Sequence, residues 1–569
     1  MTAAMDQRAF DSLTPDAFRV TGLTPAGMKI PVLAADVLQR FAILFFKRIH
    51  PCLWVVFLGG TGTGKSTLFN AFCEMSLSAT GVERPKTAGP VALAHKGCTF
   101  QEAFPFPEID VEMIPPEQMP LPSTGSAGKI SVLRADQEAF SHLVLVDTPD
   151  LDSVEEKHHR MANDLYSLSD AVVFVASQEK YADEVLHDFF MRVLQDEKPY
   201  FFILNKASQE TTREEILHAL QEQGISIHGA NLWLVPHTTP APYDRIALLK
   251  SFERLKNAFF QSFNREQVHA IKSAAHARAA RGLKKDVAGL CSLLDLEKAA
   301  VDLWLVKLQK LREDASKAYV QDQRERFSKT SGRYLRVEIR KLFSRYDLLA
   351  KPRRAIRSVF KVPFRLMGLG LKNRKSDRKA ALLKVREHVA FTPVEETIAK
   401  FNLAVLRDLS PSDEEAPLFK SLRDPNLALS ESEIRQHILK SQEELAQWLE
   451  ATFQELAKGI PTGKKVGIYS TSILWGILIL TFEVVVGGGF TMLDVALDSA
   501  LAPFVTKGAV EIFAYHEIRK IAKELAARYQ DGLLSVLRKQ AERYVACLTS
   551  LTTAPEARKA LDALLKSVS

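Results

Sequence analysis

The stretch that decides the fold is the apolar run CLWVVFL at 52–58 followed by Gly59-Gly60-Thr61-Gly62-Thr63-Gly64-Lys65-Ser66-Thr67. The apolar run reads as a buried strand, and Leu68 to Phe72 as the start of a helix. Between them the residues satisfy G-x-x-x-x-G-K-[ST]. In a strand–loop–helix setting such a loop turns successive backbone N–H groups inward, at a helix N-terminus whose dipole also favours anions. Gly60, Thr61, Gly62, Thr63, Gly64, Lys65, Ser66 and Thr67 are therefore the expected phosphate-binding residues. Lys65 would reach the β- and γ-phosphates, and the Ser66 hydroxyl would ligate Mg²⁺.

Working outward, residues 51–265 alternate strand-like and helix-like stretches. The candidate strands are 52–58, 143–147, 171–176, 200–204 and 232–235. This alternation predicts an α/β P-loop domain, a mostly parallel sheet with helices on both faces. Ligands bind such sheets at the carboxyl ends of the strands. Residues 1–50 read as a helical lead-in. Strand signals stop from 266 to 460, where Val301, Trp304, Leu308, Leu311, Ala315 and Ala318 mark one apolar helix face. This region predicts a long all-α stalk. Ser430 with Glu433 predicts a capping box before a long helix, with Gly459 and Pro461 as its stop. Residues 461–515 form an apolar hairpin in this reading, and 516–569 a C-terminal helical segment.

The net charge is +7, yet residues 351–380 hold eleven Lys or Arg against one acid, leaving the rest of the chain at −3. Basicity is thus one patch, which favours a local anionic partner over a general nucleic-acid coat. The five cysteines are scattered and form no C-x-x-C pair. That pattern argues against a disulfide framework or a zinc site and fits a reducing compartment. The opening MTAAMDQRAF has no charged-then-apolar signal pattern, so the P-loop domain is expected in the cytoplasm.

A P-loop is shared by GTPases, ATPases and kinases, so further residues must decide. Asp147, in Asp147-Thr148-Pro149-Asp150, follows a strand and is placed to hold Mg²⁺ through water. Thr87, in Arg84-Pro85-Lys86-Thr87-Ala88-Gly89-Pro90, is the candidate switch threonine, a metal ligand and catalytic residue beside Lys65. Asn205-Lys206-Ala207-Ser208 follows another strand, where an Asn tethers loops and a Lys stem covers the base. This order of motifs resembles the translation-factor-related GTPase class. It looks most like the membrane-associated branch, the bacterial dynamin-like and related GTPase-domain proteins. The resemblance covers about 200 residues and implies GTP and Mg²⁺ as ligands, with Ser208 at the base-recognition position.

This chain departs from that pattern at several places. Asp150 stands where D-x-x-G ends in glycine, bringing a carboxylate near the γ-phosphate. Ser208 stands where N-K-x-D ends in an aspartate that accepts from guanine. Leu151 stands where Ras-like proteins have a water-positioning glutamine, and Gly62 where dynamins have a serine. The group that orients the attacking water is therefore not named by motif. Slow turnover, raised by self-assembly or a partner, is the expectation. Arg84 and Lys86 read first as solvated loop charges, His158-His159 as an exposed pair at a helix start, and Tyr181 as a packing residue. An ATPase of the transporter type would need an L-S-G-G-Q signature, and the chain has none.

Val466 to Val486 carries one charge, Glu483, and as a helix would span about 31 Å, close to a hydrocarbon core. Gly487, Gly488 and Gly489 break it. Phe490 to Phe513 follows, with Asp494 and Asp498 on one helix face, each costing about 2.5–3.5 kcal/mol at a bilayer centre. A membrane-inserted hairpin, a single span and a hairpin buried in a bundle all fit this composition. The basic patch interleaves its cations with Ile356, Phe360, Phe364 and Leu369, which suits an anionic lipid surface. The leading reading is a GTP-hydrolysing protein at the inner face of a membrane, with self-assembly and anionic lipid as partners. A ribosome- or RNA-associated GTPase and a weakly hydrolysing nucleotide-binding scaffold are the alternatives.

Overall fold

The computed structural model describes residues 13–79, 89–98, 104–114, 128–153, 155–177, 184–208, 210–237, 246–345, 391–458 and 512–567. Thr87, Arg84, Lys86, Tyr181, the basic patch 351–380 and the apolar stretch from 461 to 511 lie outside them. Among the described residues no helix is long and apolar enough to cross a membrane. The chain divides into two compact units, Met1–Ala17 with Pro31–Cys291 and Pro555–Ser569, and Phe18–Ile30 with Ser292–Ala554.

The first unit is built on strand β1 (Leu53–Gly59), every residue of which is buried. Leu53, Val55 and Phe57 face one core, and Trp54, Val56 and Leu58 face the other. A strand apolar on both faces needs cover on both, and helices supply it. The remaining strands are β2 (Val91–His95), β3 (Asp110–Met113), β4 (Lys129–Ala135), β5 (Leu143–Asp147), β6 (Ala171–Ser177), β7 (Tyr200–Ala207) and β8 (Leu232–Pro236). Their order is β3-β4-β2-β5-β1-β6-β7-β8. All neighbours are parallel except β2 with β5. Helix α1 (Ile30–Ile49), α2 (Lys65–Cys73), α3 (Glu156–Leu168), α4 (Glu184–Gln195), α5 (Arg213–Glu222) and α6 (Lys250–Ser262) flank the sheet, and α7 (Arg265–Arg345) begins beside it. Phe46 of α1, Leu165 of α3, Phe190 of α4 and Leu220 of α5 cover the Trp54 face. Phe69 and Phe72 of α2, with Phe252 and Phe259 of α6, cover the Phe57 face. Phe57 meets the rings of Phe69 and Phe72 edge-on at 5.4 and 5.5 Å, which fixes α2 and the loop before it against β1.

The mostly parallel sheet with helices on both faces agrees with the sequence expectation, and a long helical region follows it. Strands β2, β3 and β4 are additional to that expectation. The antiparallel β2 also overturns the reading of the cysteines. Because β2 runs opposite to β5, Cys98 just past its end returns to the edge where Cys52 precedes β1, and the two form a disulfide. Cysteine spacing along the chain carries no sign of that reversal.

The second unit, taken by itself, is helical. It holds the later part of α7, α8 (Thr392–Leu409), α9 (Pro417–Leu422), α10 (Glu431–Lys458) and α11 (Ile512–Ser550); α12 (Pro555–Ser567) groups with the first unit. Trp304 and Leu308 of α7 enter its core, and Trp304 Nε1 donates to the carbonyl of Leu409 at 2.9 Å. Ala318 is exposed and Tyr319 is buried in its stead, so the apolar face ends one residue later than its spacing suggests. The capping box is formed, with Ser430 N donating to Glu433 Oε2 at 2.9 Å and Glu433 N to Ser430 Oγ at 3.3 Å. Buried Glu297 of α7 accepts from the backbone and hydroxyls of Thr21 and Thr24 and from Gly22 N. That carboxylate straps the lead-in segment to the stalk helix.

Candidate nucleotide-binding site

The carboxyl ends of β1, β5 and β7 bring the sequence motifs together. The loop after β1 needs glycine at two of its turns, because Gly62 and Gly64 have φ of 78° and 84°. A Cβ at Gly64 would also collide with Asn205 Nδ2. Thr63 Oγ1 donates to Gly60 O at 2.8 Å, closing the loop on itself, and α2 starts at Lys65. Ser66 and Thr67 lie half-buried in its first turn.

Two side chains from the end of β7 hold this loop by its carbonyls. Asn205 Nδ2 donates to Thr63 O at 2.8 Å, and Lys206 Nζ to Gly62 O at 2.7 Å. Lys206 takes the left-handed region, φ 55°, to aim its stem over the loop. Ser208, one residue past the strand, is exposed and shares a 2.9 Å hydroxyl contact with Thr211.

Lys65 is 3% exposed. Its Nζ donates to Asp147 Oδ1 at 3.0 Å and to Thr148 O, and Asp150 Oδ1 stands 3.7 Å away. Burial opposes its charge, but the Asp147 and Asp150 carboxylates outweigh that and raise its pKa above the ordinary lysine value. Asp147, fully buried, is held on its other oxygen by Ser78 Oγ at 2.7 Å. Asn70 fixes Ser78 in turn, accepting from its N–H at 2.9 Å and donating to its carbonyl at 2.8 Å. Cys73 lies beneath, its thiol pushed well up by burial and by Asp147.

The loop after β5 is pinned along its length. Thr148 Oγ1 donates to Phe57 O at 2.8 Å, and Leu151 N to Gly59 O at 3.2 Å. Leu151 is 1% exposed, so its side chain faces the core and not the phosphate loop. Asp152 turns the other way. Its Oδ1 accepts from both Thr61 N and Thr61 Oγ1 at 2.6 Å. His158 is buried, correcting the exposed reading, and its Nδ1 lies 3.2 Å from Ser153 Oγ. His159 remains exposed and contacts Asn163.

The structure thus brings together Gly60, Thr61, Gly62, Thr63, Gly64, Lys65, Asp147, Asn205 and Lys206, with Ser208 nearby on the same strand end. Asp152 and Ser78 complete the arrangement and were not among the sequence candidates. The alternation Asp150-Leu151-Asp152 was the available signal for the first; Ser78 had none. For Mg²⁺, the donor set of a helix-start hydroxyl, Ser66, and a buried carboxylate, Asp147, fits a hard cation that keeps several waters.

Residues 55–207, which carry all these motifs except Ser208, match the model of the dynamin family. An uncharacterised protein from a Caldicellulosiruptor species (strain Rt8B.4), encoded in the region 3′ of xynA, is 27% identical over 180 residues. That match spans 29% of this chain and 42% of the relative. Two solved structures, both described as an oligomerised bacterial dynamin pair that provides a mechanism for long-range sensing and tethering of membranes, align over 97% of this chain and 95% of theirs. Their identity is 11% and their TM-score 0.34, a likeness too loose to bear on function. What the family match covers is the sheet domain: over residues 55–207 this chain is similar to the dynamin family.

Proposed function

We propose that this chain binds GTP with Mg²⁺ at the loop 59–67, hydrolyses it slowly, and couples the resulting switch to membrane-associated assembly or remodelling. The observation that carries the reading is the double clamp of Asn205 and Lys206 on the carbonyls of Thr63 and Gly62. It ties the base-recognition strand to the phosphate loop, so that one ligand would contact both.

In this reading the amides of Gly60 to Thr67 cradle the phosphates, and Lys65 carries the charge between β- and γ-phosphate. Ser66 and Thr87 would hold Mg²⁺, with Asp147 holding it through water. That ion would neutralise charge developing on the transferred phosphoryl group. Lys206 covers the base, and Ser208 faces its edge. Titration calorimetry of GTP against ATP tests the assignment, with Ser208→Asp as the companion variant. The reading expects GTP to bind more tightly, and the preference to widen in Ser208→Asp. Equal affinity for both nucleotides in the wild-type chain would refute the guanine assignment.

The membrane part rests on the basic patch 351–380, the apolar stretch 466–513 and the family match. Anionic lipid and self-assembly are the partners it implies, at the inner face of a membrane, with RNA the rival ligand for the patch. Co-sedimentation with anionic liposomes at low salt checks it, and no lipid binding would end it. A second reading, a nucleotide-binding scaffold that barely hydrolyses, has its own support. Leu151 is turned into the core, where a water-positioning side chain would have to face the phosphate. Single-turnover hydrolysis separates the two.

A further inference from the structure

We propose that Asp150 sets the preference of this site between nucleoside triphosphate and diphosphate, by engaging the Lys65 ammonium that a terminal phosphate would take. The proposal rests on the reading of the loop as a nucleotide site. An ammonium has three protons to give. Two of those of Lys65 go to Asp147 Oδ1 and Thr148 O, and Asp150 Oδ1 lies 3.7 Å from Nζ.

These three partners differ in freedom. Asp147 is buried and held by Ser78, and Thr148 is fixed by its hydroxyl bond to Phe57 O. Asp150 has a third of its side chain, 32%, exposed. Its backbone is bracketed by the buried Leu151, whose N–H reaches Gly59 O, and by Asp152 on Thr61. Asp150 can therefore leave Lys65 by rotating its side chain, with no movement of the loop.

A diphosphate meets Lys65 through its β-phosphate alone, whereas a triphosphate adds the γ-phosphate. Two anions then compete for one ammonium, and the mobile one is displaced. The acid that breaks the glycine pattern thus acts as a built-in rival of the terminal phosphate. It weakens triphosphate binding selectively, and its side chain moves only for the ligand that carries a third phosphate.

The test is equilibrium binding of GDP and a non-hydrolysable GTP analogue, with Mg²⁺, to the full chain and to Asp150→Asn and Asp150→Gly. Both variants should bind the triphosphate analogue about three to five times more tightly, the scale of one partly exposed ion pair. Diphosphate affinity should change by less than about twofold, and the triphosphate gain should shrink as salt rises. Equal changes for the two nucleotides, or none, would overturn the assignment while leaving the nucleotide site intact. Failure of the wild-type chain to bind either nucleotide would overturn the nucleotide reading, and this proposal with it.

Discussion

Asp170 gives the sharpest test of how the sheet domain is held together. It is 2% exposed, one residue before β6, and its carboxylate accepts from Trp54 N at 3.0 Å. Lys47 of α1 lies 3.0 Å from it and Lys272 of α7 3.7 Å. The lysine side chains are only 13% and 16% exposed. One carboxylate thus fastens two helices to the start of β1, the strand that ends in the phosphate loop. Asp170→Asn keeps the volume and the Trp54 bond but leaves two nearly buried ammonium groups facing each other. Breaking a buried pair costs about 3–5 kcal/mol. Both lysines keep a carbonyl partner, Ser169 O and Cys52 O, so the lower end applies, about 3 kcal/mol. Burial opposes the Asp170 charge, but Lys47, Lys272 and the Trp54 N–H outweigh it and hold its pKa below the usual carboxylate value. A depressed carboxyl pKa contributes stability that is full above its unfolded value of about 3.9 and is lost as pH falls through the lower folded value. Urea denaturation followed by far-UV ellipticity should therefore separate the two chains at pH 7, with the gap closing only below about pH 4. A loss under about 1 kcal/mol at pH 7, or strict additivity with Lys47→Met, would refute the reasoning.

Other consequences follow from single sites. Gln442 is buried between α10 and α11, and among the described residues neither its Nε2 nor its Oε1 has a partner. Gln442→Leu should raise the urea midpoint, by about 1–2 kcal/mol of stability, and a lowered midpoint would show that the amide is satisfied in solution. Gly64→Ala should abolish nucleotide binding, measured by calorimetry, because a left-handed φ alone costs about 1–2 kcal/mol and the new Cβ strikes Asn205. Adding Asn205→Ala should cost the first variant less stability than it costs the parent. Thiol titration of the denatured, non-reduced chain should count three free cysteines, Cys73, Cys291 and Cys547, rising to five after reduction. Reduction should cost about 4 kcal/mol for a loop closed over a separation of 46 residues.

What the sequence made legible follows from which forces act locally. Strands β1, β5, β6, β7 and β8 are nearly continuous apolar runs, because both of their faces are covered. Strand β3, Asp110–Met113, has no fully buried residue, and β4 alternates like any half-exposed strand, so neither stood out. The phosphate loop, Asp147, Asn205 and Lys206 were readable because backbone geometry and phosphate chemistry demand fixed residue types at fixed spacing. The pairs Thr61–Asp152, Ser78–Asp147 and Cys52–Cys98 were not. Each joins residues 46 to 91 positions apart, and each exists only once the strand order is set.

The two departures in the loop after β5 are one structural choice. Leu151 points into the core, so residues 150 and 152 on either side point toward the phosphate loop. A glycine and a glutamine at the first two of these positions would present an amide and a neutral side chain to a phosphate. Here the loop presents two carboxylates instead. With Asp147 that makes three acids at the loop against Lys65 and Lys206, an excess of one negative charge where an anion is to bind. Such a site should bind nucleotide poorly without a divalent cation and much better with one, since a bound cation inverts the local charge. Omitting Mg²⁺ should therefore weaken the triphosphate analogue far more in the wild-type chain than in Asp150→Asn. If both chains lose affinity equally, the acids are not part of the phosphate site.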